Sequence, residues 1–412
     1  KSDDDHPYIY KTTNFGQSWQ LIVKGIPAHH FTRCIRSDQV KKGWLYCGTE
    51  HGMYLSTNDG KNWKSLQMNL PEVPVTDLCI KEDDLVVATQ GRSFWILDDL
   101  SLLRQWADES NGSSTHSMGK LTVFNPSACY RMDGYQRNAP QNEGQNPVYG
   151  VRLDFDVADW SDSSKASISF YTTGDSLLRS FSTQSEKEDA LKVSRGMNMF
   201  NWNLNVKGVE RIDDMILWNS NIGGYKIPPG NYKAKIKVGS DSVWQDFKVL
   251  ADPNYKISSD DYQNQFRMLT VIRNKFEEVQ HCILDIRQIR SQVNGLKERY
   301  GTEYPTDLDS IGKTMLKSMS KVEESLYQTK AKSGQDLLNY PIRLNDKLSG
   351  IFDAANQETA PSQQVMEAYT ELNLKIEKEL NEFRSLTTGL LKTFNQKARE
   401  AGLDLITVKK RS

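Results

Sequence analysis

Four polar residues occupy matching places along the chain, and their types could support chemistry. Glu50 and His51 follow one apolar five-residue segment, and Gln90 and Arg92 follow a similar segment 40 residues further on. A carboxylate, an imidazole and a guanidinium in one depression could bind a sugar or cleave it by acid–base catalysis. Gln90 cannot act as a general base. The structural alternative is that Glu50 and Arg92 form a salt bridge or hydrogen-bond the ends of strands.

The segments that carry these residues predict paired strands. Leu45–Thr49 and Leu85–Thr89 align with each other, and each leads through a short polar link to another apolar segment, Met53–Leu55 or Phe94–Leu97. Short apolar runs separated by polar links are typical of antiparallel strands. We interpret the runs as the second and third strands of successive four-stranded units, which places the four candidates on links between strands.

An octapeptide of the form S/T-x-N-x-G-x-S/N-W occurs twice, at Thr12–Trp19 and Ser56–Trp63, 44 residues apart. Asn and Gly tolerate positive φ in tight turns, and the hydroxyl residue can bond to nearby backbone. We expect both turns to be structural and Trp19 and Trp63 to pack at equivalent places. The structural positions of the two copies are Asn14, Gly16, Trp19, Asn58, Gly60 and Trp63.

The octapeptide resembles the Asp-box, or BNR, repeat of β-propellers, with Asn where the box usually has Asp. Two copies at a blade-sized spacing support this resemblance. In such propellers the link between the second and third strands opens on the ligand-binding face, and the Asp-box turn lies on the opposite face. The resemblance implies that residues 1–107 are C-terminal blades of a propeller. Because propellers typically have four to eight blades, we expect missing N-terminal blades of the same protein to supply the rest.

Residues 108–118 have the polar composition of a linker, and residues 119–253 predict a domain of short strands. The PPG turn at 228–230 and the G-x-N-x-F-x-W strand at 196–202 resemble immunoglobulin-like domains appended to secreted bacterial enzymes, so we expect an Ig-like β-sandwich. Alternating segments that predict its strands are Val151–Val157, Ala166–Tyr171, Gly196–Leu204, Tyr232–Val238 and Val243–Leu250.

Residues 256–412 change to a helical period. Apolar residues spaced by threes and fours between Tyr262 and Tyr300 predict a helix of about 40 residues, roughly 60 Å long. Ser258 is its expected N-cap and Gly301 its end. Three further stripes start near Leu308, Pro341 and Pro361. Helices with a single apolar stripe must bury it together, so we expect an antiparallel helical bundle that folds independently.

Composition excludes several functional classes. The net charge of −1 and the pI near 6.7 argue against a nucleic-acid partner, and no apolar run approaches the roughly 18 residues of a transmembrane segment. The five cysteines are scattered without a C-x-x-C pair, and we interpret Cys47 and Cys79 as small apolar side chains within strands.

We expect no cofactor and no metal. A run of acidic residues could suggest calcium, but no D-x-D-x-D-G loop is present, and we expect Asp154 and Asp156 to lie on the polar face of a strand. Solvated surface charge is therefore the preferred interpretation. The acidic residues concerned are Asp154, Asp156, Asp159 and Asp162.

The whole chain resembles the C-terminal half of a family of large secreted Bacteroidetes proteins with sortilin-like BNR propellers, commonly labelled glycosyl hydrolases. The resemblance rests on residues 77–100 and 328–348 together with the Ig-like motifs. It implies a multidomain β and α protein, with partial propeller blades, an Ig-like sandwich and a helical bundle. It also implies a signal peptide ahead of this chain and a periplasmic or extracellular location. The family usually has His at the position of Gln90.

Two functions follow from the resemblance. The first is non-catalytic recognition and scaffolding, in which the propeller face binds a glycan or protein ligand. The alternative is a sialidase-like or xyloglucanase-like glycoside hydrolase whose catalytic carboxylates lie largely in the missing N-terminal blades. The sequence identifies no catalytic residue, and we expect this chain alone to be inactive.

Overall fold

The structure of the chain is a computed structural model that describes residues 3–110, 117–118, 120–132, 143–161, 163–219 and 221–408. It contains both helices and strands. Several of its sheets are antiparallel, as the short apolar runs separated by polar links predict. The chain forms two compact units. The described residues of 3–129, 143–202 and 231–248 form the first unit, and those of 130–132, 203–230 and 249–408 form the second.

The N-terminal part of the first unit contains three small sheets. The first pairs β1 (Tyr10–Lys11) with β2 (Gln20–Leu21). The second has the order β3-β4-β5-β6, formed by Thr32–Ser37, Leu45–Thr49, Gly52–Ser56 and Lys64–Ser65. The third has the order β7-β8-β9, formed by Val75–Lys81, Asp84–Thr89 and Phe94–Leu97. The sequence analysis predicted successive groups of four strands. The second sheet has four strands, whereas the third has three.

Helix α1 (Leu100–Ser110) follows β9 and packs its apolar side on the sheet core. Asp99, with φ of 55°, begins it by accepting the Ser101 N–H at 3.0 Å. Arg104 of α1 is 4% exposed and reaches the buried carboxylate of Asp38, 3.0 Å away. The helix extends to residue 110, so the prediction that a linker begins at residue 108 is wrong for its first three residues.

The first octapeptide folds into a turn that its side chains hold together. The Thr12 hydroxyl accepts the Gly16 N–H at 2.9 Å, and the Asn14 side chain accepts the Ser18 N–H at 2.9 Å. Positive φ falls on Phe15 and Gly16, at 55° and 89°. Asn14 itself therefore contributes its side chain to the turn, and positive φ is not the reason for an Asn at this position.

The second octapeptide repeats the same bonds. The Ser56 hydroxyl accepts the Gly60 N–H at 3.0 Å, and the Asn58 side chain accepts the Asn62 N–H at 2.9 Å. Positive φ again falls on the two central positions, Asp59 and Gly60, at 62° and 81°. The two copies therefore form one kind of turn, as their sequence similarity predicts.

The two tryptophans of these turns have unlike surroundings, so the prediction of equivalent packing is wrong. Trp63 is 4% exposed, and its indole N–H donates to the Ile22 carbonyl at 2.7 Å. Trp19 is 60% exposed. Trp63 packs on the segment around Ile22, 41 residues earlier in the chain.

The strands that follow α1 form two larger sheets. One has the order β10-β11-β13-β16, formed by Ser117–Met118, Leu121–Val123, Val151–Val157 and Gly196–Trp202. The other has the order β12-β18-β17-β14-β15, formed by Cys129–Arg131, Asp241–Ala251, Gly230–Val238, Ala166–Thr172 and Leu177–Ser182. Between the sheets, the Phe170 ring stacks on Trp202 with centroids 4.2 Å apart. Aromatic side chains therefore form the core at this point.

Two sequence interpretations in these strands need correction. Cys79 is exposed, because the alternation of β7 places its neighbours Leu78 and Ile80 on the buried face. Asp154 is buried, 8% exposed, and is bound by Arg152. It does not lie on a solvated face.

The other acidic residues of that run do not form a common cluster in the described structure. Asp159 pairs with Lys120, and this pairing, through a hydrogen bond, lowers the pKa of the Asp159 carboxyl. Asp156 lies on β13, where it opposes Met197 of β16. Asp162 lies outside the described residues.

The helices of the second unit begin and end where the sequence indicates. The Ser258 hydroxyl accepts the Asp261 N–H at 3.1 Å, and Gly301 ends the first long helix with φ of 48°. The helices are α2 (Ser259–Tyr300), α3 (Thr306–Leu326), α4 (Leu344–Ala355), α5 (Gln363–Leu386) and α6 (Lys392–Glu400), with a π-helical turn at Thr387–Leu391 between the last two. Their apolar stripes are buried, including Phe276, Ile286, Met315 and Phe394. None of the described helices contains an apolar stretch of the length that a transmembrane segment requires.

Residues 203–230 pack with these helices. The carboxylate of Asp346, a residue 2% exposed on α4, accepts the backbone N–H groups of Trp218 and Asn219 at 2.7 and 2.8 Å. Tyr225 donates its hydroxyl to Thr270 of α2 at 2.8 Å. A segment between two strands therefore supplies partners for buried polar groups of the helices.

Candidate functional site

The four candidate residues lie on links between strands, as their sequence positions predict. Glu50 and His51 connect β4 to β5, and Gln90 and Arg92 lie in the link from β8 to β9. The octapeptide turn that follows β5 lies at the other end of that strand, since β5 runs from Gly52 to Ser56. Glu50 and His51 and this turn therefore occupy opposite ends of β5 in the second sheet, whereas Gln90 and Arg92 belong to the third sheet.

Glu50 is held by a neighbour on the adjacent strand. Its carboxylate pairs with the Arg33 guanidinium at 2.5 Å, and both side chains are about 30% exposed. The Arg33 guanidinium also lies over the Phe31 ring, 5.1 Å from its centroid. Glu50 therefore forms a salt bridge, but with Arg33. The predicted salt bridge between Glu50 and Arg92 is wrong.

His51 belongs to a group of three imidazoles, which we call the histidine cluster: His29, His30 and His51. The ring centroids of His30 and His51 are 4.4 Å apart, those of His29 and His30 are 4.7 Å apart, and those of His29 and His51 are 5.9 Å apart. The pairing of Thr32 with Thr49 between β3 and β4 brings the two segments side by side. The sequence analysis identified only His51 of the three.

Two further side chains orient the histidine cluster. The hydroxyl of Tyr54, a buried residue of β5, lies 2.8 Å from His30 Nδ1. The Glu72 carboxylate lies 3.0 Å from His51 Nδ1. Burial lowers the pKa of His30, and the neighbouring His51 and His29 imidazoles lower it further. His30 therefore favours its neutral form more than a histidine in water does.

The loop that carries Glu72 is fixed against β5 by Gln67. The Gln67 amide accepts the Met53 N–H at 3.2 Å and donates to the Leu70 and Pro71 carbonyls at 2.8 and 2.9 Å. Gly52, with φ of 122°, allows this approach, because a Cβ there would lie 2.0 Å from Gln67 Oε1. The position of Glu72 beside His51 therefore depends on a glycine and an amide.

Gln90 and Arg92 are both exposed. The Gln90 N–H donates to the Pro74 carbonyl at 2.9 Å, and the Arg92 carbonyl accepts the Trp95 indole N–H at 3.0 Å. In both bonds Gln90 and Arg92 contribute backbone atoms, and their side chains are exposed to solvent. Within the described residues, the Arg92 guanidinium has no ion-pair partner and could receive an anion.

The site thus contains bases, acids and cations in separate groups. The imidazoles and Glu72 form one group, and Glu50 and Arg33 form a closed pair. Within the described residues, the Arg92 side chain forms no ion pair with either group. The adjacent pair of histidines at residues 29 and 30 was the available sequence signal for the first group. Glu72 had no such signal, because it is one carboxylate in a loop of ordinary composition.

No family model matches this chain, and no curated protein matches it either. The family resemblance noted from residues 77–100 and 328–348 therefore stays a prediction.

Proposed function

We propose that the chain is a non-catalytic recognition and scaffolding portion of a secreted BNR-repeat propeller protein. In this proposal residues 1–107 are C-terminal propeller blades, residues 119–253 an Ig-like sandwich, and residues 256–412 a helical bundle. The observation that carries the proposal is the pair of octapeptide turns, which share the same hydrogen bonds and the same positive φ positions.

The strand arrangement supports the same proposal. β4 and β8 are each the second strand of an antiparallel sheet, and each leads through a polar link to a third strand. In a propeller these links would lie on the ligand face. The proposed recognition surface therefore consists of the link residues Glu50, His51, Gln90 and Arg92.

The proposed ligand is an acidic sugar or a peptide carboxylate. Arg92 is exposed and lacks an ion-pair partner among the described side chains, and a guanidinium can hold a carboxylate through two parallel hydrogen bonds. Recognition requires such an available cation. It does not require a proton donor and acceptor placed around a scissile bond.

The alternative function, glycoside hydrolysis, has less support in this part of the protein. It requires two carboxylates on opposite sides of the glycosidic bond. Here Glu50 is bound by Arg33 and Glu72 by His51. A hydrolase would therefore need carboxylates from the proposed N-terminal blades.

A binding and hydrolysis screen tests the proposal. Acidic glycans and carboxylate-terminated peptides are arrayed against the wild-type chain, and any bound ligand is then measured with Arg92→Ala. We expect this variant to weaken binding by about 10-fold to 150-fold, which corresponds to the loss of about 1.5–3 kcal/mol from a charged hydrogen bond.

Lys61→Ala is the matched control, because Lys61 is an exposed cation in the octapeptide turn at the opposite end of β5. We expect this variant to bind as the wild-type chain does. Equal binding by both variants, or sugar cleavage by the wild-type chain, would contradict recognition through Arg92.

A further inference from the structure

The histidine cluster has the composition of a metal site. Three of the six histidines in the sequence meet at the links before β3 and after β4. We propose that His29, His30 and His51 bind a divalent transition-metal ion such as Zn²⁺. This site shares His51 with the proposed recognition surface, but metal binding by the imidazoles does not require that Arg92 bind a carboxylate.

The spacing of the rings fits one shared ion. Zinc lies about 2.0–2.1 Å from an imidazole nitrogen in a tetrahedral site, which places the centroids of two bound rings roughly 5 Å apart. The three centroid separations here are 4.4, 4.7 and 5.9 Å. They lie near the expected value, so the backbone places the rings close enough to share an ion, although their nitrogen atoms do not all lie within 4.8 Å of one another.

The orientation of two of the rings also fits. Tyr54 is bound to His30 Nδ1 and Glu72 to His51 Nδ1. In metal sites the second nitrogen of a bound imidazole is held in this way by a carboxylate or another polar group, which fixes the tautomer and the ring. The Nε2 atoms of His30 and His51 therefore remain as the ligand atoms, and Glu72 is a positioning residue.

The imidazole nitrogens must come closer together to hold one ion, because the three histidines do not form a group whose ligand atoms already converge. In the proposed site this movement is a rotation of His29. His29 is exposed, and exposed side chains change rotamer within nanoseconds.

A second group could compete for the ion. Among the described residues, the group whose ligand atoms already lie within 4.8 Å of one another is Asp4, Asp5 and His6, all exposed. Asp4 already accepts hydrogen bonds from Tyr8 and the His6 backbone. That group is the competing place for an ion and must be controlled.

The donor set selects the class of metal. Imidazole nitrogens suit zinc, copper and nickel, whereas calcium and magnesium prefer oxygen ligands. Three imidazoles leave the fourth position of a tetrahedral ion open to water or to a ligand. The site should therefore take Zn²⁺ or Ni²⁺ in preference to Ca²⁺ or Mg²⁺.

Isothermal titration of the full, untagged chain with ZnCl₂ at neutral pH tests the proposal, with CaCl₂ as the comparison. We expect one zinc ion per chain at the cluster and no calcium there. His30→Ala and His51→Gln should each weaken zinc binding by at least 10-fold. Glu72→Gln should weaken it by about 10-fold to 100-fold, the usual effect of removing the partner of a metal-bound histidine. His6→Ala should leave this binding unchanged.

His51→Gln keeps the test decisive if His30→Ala disturbs the fold, since His51 is partly exposed and Gln keeps a polar side chain there. Circular dichroism of each variant establishes that it is folded. Zinc binding that survives His51→Gln and is lost in His6→Ala would assign the ion to Asp4, Asp5 and His6 and overturn the proposal. The absence of zinc binding by the wild-type chain would overturn it as well.

Discussion

Replacing Trp63 should destabilise the first unit far more than replacing Trp19, although both occupy the same place in the repeated octapeptide. Trp63 is 4% exposed and packs with Ile9, Ile22 and Ile26, whereas Trp19 is 60% exposed. Gly25 allows the contact, because a Cβ at that position would lie 2.3 Å from the Trp63 carbonyl oxygen. The sequence motif is shared, and the difference comes entirely from what each indole contacts.

The magnitude follows from burial and from one hydrogen bond. Replacing a buried Trp by Ala costs about 3–5 kcal/mol, which includes the cavity left behind. Within that sum, the bond from the Trp63 indole N–H to the Ile22 carbonyl, 2.7 Å long, accounts for about 1 kcal/mol. Trp63→Phe keeps an aromatic ring and loses this bond, so it should cost about 1–2 kcal/mol. Trp19→Ala should cost less than about 1 kcal/mol, as for other exposed positions.

Urea unfolding read by hydrogen-exchange mass spectrometry is the suitable assay, because it reports residues 20–65 separately from the helices of the second unit. The order of destabilisation should be Trp63→Ala, then Trp63→Phe, then Trp19→Ala. Equal losses from the two alanine variants would refute the reasoning, since they would show that Trp19 is as well packed as Trp63. A loss below about 1 kcal/mol for Trp63→Ala would refute it too.

The hydroxyls of the two turns allow the same comparison by urea unfolding. Ser56→Ala should cost about 1–3 kcal/mol of unfolding free energy, because Ser56 is buried. Thr12→Ala should cost less, because Thr12 is partly exposed and water can reach its hydrogen-bond partners. Asp38→Ala should cost about 3–5 kcal/mol of unfolding free energy at neutral pH, measured by urea unfolding, because it removes one of the two carboxylates that pair with the buried Arg104 guanidinium. Asp83 remains as the second partner. Burial alone raises the pKa of Asp38, but hydrogen bonds from the backbone, from a tyrosine and from Arg104 lower it below 3.8, so this stabilisation should be present above that pH and fade as pH falls below it. Phe276→Asp should cost several kcal/mol and reduce the helical circular dichroism, because it puts an unpaired charge at a fully buried position of α2.

Much of the secondary structure could be predicted because it depends on neighbours in sequence. The helix from Ser259 to Tyr300 follows from apolar spacing, an N-cap and a glycine. The strands Leu45–Thr49 and Val151–Val157 follow from short apolar runs with turn signals at their ends. Local periodicity and capping supply the reason in each case.

The surroundings of individual residues were less predictable, since they depend on contacts with distant segments. Cys79 and Cys47 lie in similar strands, yet only Cys47 is buried. The difference depends on which face of each sheet meets the core. A single strand does not specify this when its residues do not alternate clearly between polar and apolar.

The helical residues show the same limit at the level of a unit. Their stripes predicted a region that folds alone, but the buried Asp346 carboxylate takes its hydrogen bonds from the backbone of Trp218 and Asn219. A fragment of residues 256–412 would leave this carboxylate buried without those partners, which costs several kcal/mol unless water enters. Residues 203–230 therefore belong in any fragment designed to contain the helices.

The histidine cluster lies between these two cases, because a local pattern and a single strand pairing together determine it. The pairing of Thr32 with Thr49 places the residues just before β3 beside those just after β4. Any sequence with His at residues 29 and 30 and at residue 51 then brings three imidazoles together. The strand Leu45–Thr49 was predicted from the sequence, but its partner Thr32–Ser37 was not, so the hairpin that forms the cluster was missed. The orienting groups were missed as well. Tyr54 and Glu72 reach the imidazoles only because β5 turns one side chain toward His30 and because Gln67 fixes the loop that carries the other.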